Sequence, residues 1–292
     1  MKYLSGVIAA LAMIFLSACP SWAKLDVVAS FSILGDMVEQ VAGDKATVTT
    51  IVGPDADAHL YAPTTGDAVA VSEADLVIVN GLGFETWSAK LIDASGTDAA
   101  IAVATTGITP LLVEGEIDPH AWNALSNAII YVDNIEAALS AASPEDAAIF
   151  KQNADAYRAQ LDRLHSRALA DIASLPADSR IVVTAHDAFG YLADAYGLTF
   201  LAPQGIDTEA EPSAKELAKL IGFLNETGAG ALFVENIANS DLIAQISRET
   251  GLQIGGRLYS DALSVRGSPA TSYLAMFTHN LELIINRLAA SK

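Results

Sequence analysis

The chain has 292 residues, 52% hydrophobic and 17% charged, which is enough apolar material for one large or two ordinary cores and too few charges for a disordered acidic protein. With 16 Lys and Arg against 35 Asp and Glu, the formal net charge of −19 argues against nucleic acid and anionic membrane surfaces as partners and is compatible with cations. The single cysteine, Cys19, lies near the N-terminus, so the rest of the chain has neither a disulfide nor a thiolate site, and any transition metal must be held by nitrogen and oxygen.

Met1-Lys2 and the apolar run over residues 4–18 read as the basic and hydrophobic parts of a secretory leader. Ser21 and Ala23 supply small residues for cleavage before Lys24. Residues 1–23 are therefore expected to be a signal peptide and the periplasm the compartment. Leu16-Ser17-Ala18-Cys19 also fits a lipobox, in which Cys19 becomes a lipidated N-terminus. The apolar run is about 15 residues, short of the roughly 20 that a membrane span needs.

Short apolar, β-branched runs then alternate with helical patterns. Strands are predicted at 25–29, 47–52, 76–79 and 99–103, and a helix carries Ile33, Leu34, Met37, Val38 and Val41 on one face before Gly43. The second half repeats this with strands at 180–184, 198–201, 231–234 and 253–255. Unbroken apolar strands separated by helices predict an α/β protein of two lobes, each with a mostly parallel sheet covered by helices. The lobes are expected at 24–142 and 177–292. Between them, 143–176 reads as one long rigid helix: Ser143 as N-cap, Pro144 at the first position, Glu145 and Asp146 in the first turn, and no Gly or Pro before Pro176. About 32 residues at 1.5 Å each make a rod of roughly 48 Å.

Of the five histidines, His59, His120 and His186 each lie at or beyond the carboxyl end of a predicted strand, the edge where open α/β sheets bind ligands. Asp261 follows the last predicted strand in the same way. Two of these residues come from the first lobe and two from the second, so a shared site would lie in the interlobe cleft. Three imidazoles and one carboxylate form a closed tetrahedral set suited to Zn2+. Their separations of 61, 66 and 75 residues match no compact metal motif, and each residue could instead cap a helix or satisfy a turn. His165 and His279 fall within helical stretches and read as structural.

At these residues the chain resembles the periplasmic solute-binding proteins of zinc and manganese ABC importers, the cluster A-I family with ZnuA as its usual zinc example. The resemblance rests on Gly53-Pro54 leading to His59-Leu60-Tyr61-Ala62-Pro63-Thr64, and on Asp118-Pro119-His120-Ala121-Trp122. It continues through His186-Asp187-Ala188-Phe189-Gly190-Tyr191-Leu192, Glu211-Pro212-Ser213 and Asp261-Ala262-Leu263-Ser264. It implies metal ligands at His59, His120, His186 and Asp261, Zn2+ as cargo, delivery to an ABC permease, and no enzymatic activity. Manganese members carry a carboxylate where His186 stands, and imidazole suits zinc. Two features depart from the commonest pattern. Residues 108–117 replace the long His-rich loop, as in the loop-lacking zinc binders of the AztC kind, which implies a possible periplasmic metallochaperone. Ala58 stands where many relatives have proline. Asp118, Asp187, Asp207 and Glu209 are the expected acceptors for the ligand imidazoles, and a monomer is expected. The alternatives are a manganese or iron carrier, or a zinc hydrolase built on the same three histidines with an open fourth position.

Overall fold

The computed structural model describes residues 24–227 and 230–290; the expected signal peptide and Cys19 lie outside them. The first lobe is built from β1 (Leu25–Phe31), α1 (Ser32–Ala42), β2 (Ala46–Val52), α2 (Thr65–Glu73), β3 (Leu76–Val79), α3 (Ser88–Ser95) and β4 (Ala100–Val103). A small hairpin, β5 (Leu112–Val113) and β6 (Glu116–Ile117), precedes α4 (Leu125–Ala142). The long helix α5 (Ala147–Ala173) leads into β7 (Ile181–Val183), α6 (Gly190–Tyr196), β8 (Thr199–Leu201), α7 (Ala214–Thr227), β9 (Ala231–Glu235), α8 (Asp241–Thr250), β10 (Ile254–Leu258) and α9 (Tyr273–Ala290).

Each lobe holds a four-stranded sheet, in the order β2-β1-β3-β4 and β10-β9-β7-β8, and every pairing within them is parallel. Parallel strands need helical crossovers that cover both faces, so the apolar runs are unbroken: all four residues of β3 are buried. The stripe Ile33, Leu34, Met37, Val38 and Val41 is wholly buried, as its spacing predicts. Among the described residues, no helix is long and apolar enough to cross a membrane.

The connecting helix is shorter than the sequence suggests. Pro144–Asp146 forms a separate 3-10 turn, and α5 runs for 27 residues, about 40 Å. Beyond it the amide of Ser174 bonds back to Ala170 and Asp171, a tightened last turn, and Pro176 has no amide to continue the helix. Its buried residues Phe150, Ala154, Tyr157, Leu161, Leu164, Ala168 and Ile172 recur at three- and four-residue spacing. They pack on α1 and α4 of the first lobe and on α6 and α9 of the second. Two other boundaries shift. β10 reaches Leu258, past the expected end, because a bulge at Gly255 and Gly256 re-registers it on β9; Gly256 takes φ +142 and a Cβ there would lie 2.8 Å from Leu283 on α9. The helix after His186 begins only at Gly190, since His186 bridges to Gln204 and the Asp187 amide donates to Gly205, holding the chain extended.

Truncating Leu161, fully buried on α5, to alanine is expected to destabilise the protein by about 3 kcal/mol. Leu169→Ala, on the same helix but 44% exposed, should cost less than about 1 kcal/mol. Urea-denaturation midpoints of the two variants test the contrast.

Candidate metal centre

His59 lies in the loop between β2 and α2. Its amide donates to the Asp57 side chain at 2.8 Å, a local Asx turn that fixes the backbone just after the strand. The Ala58 carbonyl before it accepts from the Trp87 indole at 2.9 Å. His120 follows β6 in the turn Asp118-Pro119-His120. One oxygen of Asp118 accepts from both the His120 amide, at 3.0 Å, and its Nδ1, at 2.8 Å. His186 stands beyond β7, where the Glu235 carboxylate closes β9 next to it. One Glu235 oxygen accepts from the amides of Ala185 and His186 at 2.8 and 3.1 Å, and the other lies 2.7 Å from His186 Nδ1, off the straight hydrogen-bond line. Asp261 follows β10 in a loop held to the first lobe, where the Trp122 indole donates to Ser260 O at 2.8 Å and Ser32 Oγ accepts from the Leu263 amide at 2.9 Å.

The four side chains meet between the lobes. One ligand-type atom from each of His59, His120, His186 and Asp261 lies within 4.8 Å of all the others, and all four residues are buried. Asp261 Oδ2 is 3.1 Å from His186 Nε2 and 3.3 Å from His59 Nε2, and Oδ1 is 3.7 Å from His120 Nε2. His59 Nε2 and His120 Nε2 approach to 3.3 Å. Two such nitrogens with inward lone pairs repel unless a proton or a cation lies between them. With Asp118 and Glu235 on their Nδ1 atoms, His120 and His186 in neutral form are Nδ1–H tautomers whose Nε2 lone pairs point inward. Asp261 Oδ1 has no hydrogen-bond partner among the described residues although it is buried. The donor set therefore fits a cation held by three nitrogens and one oxygen.

The electrostatics of the cation-free cluster follow from burial. Desolvation opposes the charged form of His120, but the Asp261 charge and the hydrogen bond accepted by Asp118 outweigh it and raise the imidazole to about 9. Desolvation likewise opposes charge on His186, and Glu235 and Asp261 overcome it, holding that ring well above the usual histidine range. Burial alone would lift the Asp261 carboxyl. The charges on His186 and His120 instead hold it well below the ordinary carboxylate range. Without a cation, protons carry the balancing positive charge.

Of the acceptors expected from the sequence, only Asp118 takes that role. Asp187, Asp207 and Glu209 hydrogen-bond none of the three rings. Asp207 accepts from the Glu209 amide at 3.1 Å. The carboxylate that faces His186 Nδ1 is Glu235, which the sequence reading missed; its one signal is a carboxylate closing an apolar strand, a feature too common to single it out. His165 and His279 are structural, with His165 Nδ1 2.9 Å from the Tyr196 hydroxyl and His279 Nε2 3.1 Å from the Arg257 carbonyl.

Comparison with known proteins agrees with this architecture. Residues 27–287 match the ZnuA family, described as zinc-uptake complex component A, periplasmic. The manganese-binding lipoprotein MntA of Halalkalibacterium halodurans is 33% identical over 266 residues, covering 91% of this chain and 89% of that protein. The iron-binding protein YfeA of Yersinia pestis is 35% identical, over 89% of this chain and 85% of that one. The periplasmic zinc binding protein TroA of Treponema pallidum superposes with a TM-score of 0.87 at 31% identity, covering 91% and 99% of the two chains. A two-lobed parallel α/β fold with a single connecting helix, matched in sequence across nearly the whole chain, places this protein in the ZnuA family.

Proposed function

We propose that this chain is the zinc-capturing component of an ABC import system, binding Zn2+ between its lobes through His59, His120, His186 and Asp261 and delivering it to a membrane permease. The observation that carries this reading is the convergence of three imidazoles and one carboxylate within 4.8 Å. Three neutral nitrogens and one anionic oxygen suit tetrahedral Zn2+, whereas the harder Mn2+ favours more carboxylate and water ligands. Family membership supports the transport role. The manganese reading has its own support in the name of MntA, at 33% identity. The presence of His186 where a further carboxylate would suit manganese favours zinc.

Titration of metal-stripped protein is expected to give one tight equivalent of zinc that manganese does not displace. Equal competition by manganese would overturn the zinc assignment and leave the carrier role standing.

Proton linkage follows from the raised imidazoles. The cation-free site pushes His120 and His186 toward their protonated forms, and bound zinc requires both rings neutral. Zinc uptake should therefore release protons, read as the dependence of calorimetric binding enthalpy on the buffer's ionisation enthalpy. The sign is fixed: as pH falls below about 9, where His120 gains its proton, apparent zinc affinity declines.

Glu235 should act through His186. Glu235→Gln keeps an acceptor for the two amides but removes the charge facing Nδ1, and is expected to weaken zinc binding about 10- to 100-fold without loss of fold. Chelator competition alongside circular dichroism checks both halves of that expectation.

A further inference from the structure

The three imidazoles are not held alike. His120 and His186 each present Nδ1 to a buried carboxylate, at 2.8 and 2.7 Å. No described residue hydrogen-bonds Nδ1 of His59, whose ring is steadied only by edge-on contact with Phe84, at 4.9 Å between centroids, and by the cluster itself. His59 is also the one member that reaches solvent, with 8% of its surface exposed against 0% for His120, His186 and Asp261.

The surface that His59 touches is a cleft of about 610 Å3 between the lobes. Glu116 of the β5–β6 hairpin lines one wall, and Asp207 and Glu209 from the segment after β8 line the other. No lysine or arginine is among its lining residues. A nine-tenths-buried imidazole with a free ring nitrogen thus stands at the inner end of a passage with three carboxylates. Trp122 and Phe84, whose rings pack 4.8 Å apart, also lie against His120, with centroids 5.4 and 6.0 Å from its ring.

We propose that the cation enters and leaves through this cleft, steered in its hydrated form by Glu116, Asp207 and Glu209, and that His59 is the mobile transfer ligand. His120, His186 and Asp261 form a fixed three-ligand base. His59, outermost and least tethered, meets the incoming ion first and lets it go last. This rests on the zinc-site reading above. It goes further by assigning a route, an order and three residues outside the ligand set.

Stopped-flow zinc exchange against a fluorescent chelator tests the route. The variant E116Q/D207N/E209Q keeps the hydrogen-bonding capacity of each side chain and removes three negative charges. At low salt its association rate should fall about ten-fold, with dissociation unchanged and the difference abolished in high salt. In parallel, His59→Ala should retain one weakened equivalent of zinc under conditions where His186→Ala retains none. An unchanged association rate in the triple variant, or a His59→Ala protein that loses zinc as completely as His186→Ala, overturns the inference while leaving the site intact. Wild-type protein that takes up no zinc would overturn the site, and this inference with it.

Discussion

Four ionisable side chains taken out of water into one small volume must balance one another, and that requirement organises the structure. An uncompensated buried charge costs several kcal/mol, and Asp261 is fully buried. In the cation-free state His120 and His186 are pushed toward their protonated forms, which supplies positive charge; a bound divalent cation would take that place. Asp118 and Glu235 extend the same arrangement outward, giving each of those rings a carboxylate on the side facing away from the cluster. In the proposed role the centre would hold either protons or metal on these nitrogens, never both.

Such a site needs walls that do not relax around whichever occupant is present. The long helix α5 packs against helices of both lobes, and hydrogen bonds stitch the lobes together near the site. Trp122 donates to Ser260 O, the Asp55 amide to Leu263 O, and the Thr208 hydroxyl to Asp57 at 2.6 Å. Asp57 is also the acceptor for the His59 amide, and Asp55 in the same loop accepts from the Ser264 hydroxyl, so the second lobe bears on this loop of the first through two carboxylates. A continuous helix through both cores favours small loop adjustments over wide hinge opening. In the proposed route exchange falls to the least restrained part of the centre, the His59 side.

Relatives named for manganese, iron and zinc share this fold at similar identity. The scaffold alone therefore does not choose the metal. At the third position this chain carries an imidazole whose far nitrogen faces the anionic Glu235 carboxylate. That pairing strengthens the ring as a donor to a borderline-soft ion, an electronic effect rather than one of cavity size.

Much of this was legible in the residues. Unbroken apolar runs such as 76–79, too short for a helix, read as strands buried on both faces, and the stripe from Ile33 to Val41 reads as a helix with one buried side, because local periodicity and the demand to hide apolar surface both act over a few residues. His59, His120, His186 and Asp261 stood out because each follows a strand in a fold that binds at strand ends, and Asp118 because it sits two residues before His120, within reach of both its amide and its ring. Their chemistry is local, and so it is written locally. Glu235 is different: it meets His186 across 49 residues of chain only because β9 lies beside β7. The unequal tethering of the three imidazoles, the cleft ending at His59 and the bulge that carries β10 to Leu258 likewise arise from which elements become neighbours. Strand pairing and lobe contact are long-range outcomes of packing, and no spacing along the chain encodes which carboxylate will face which ring.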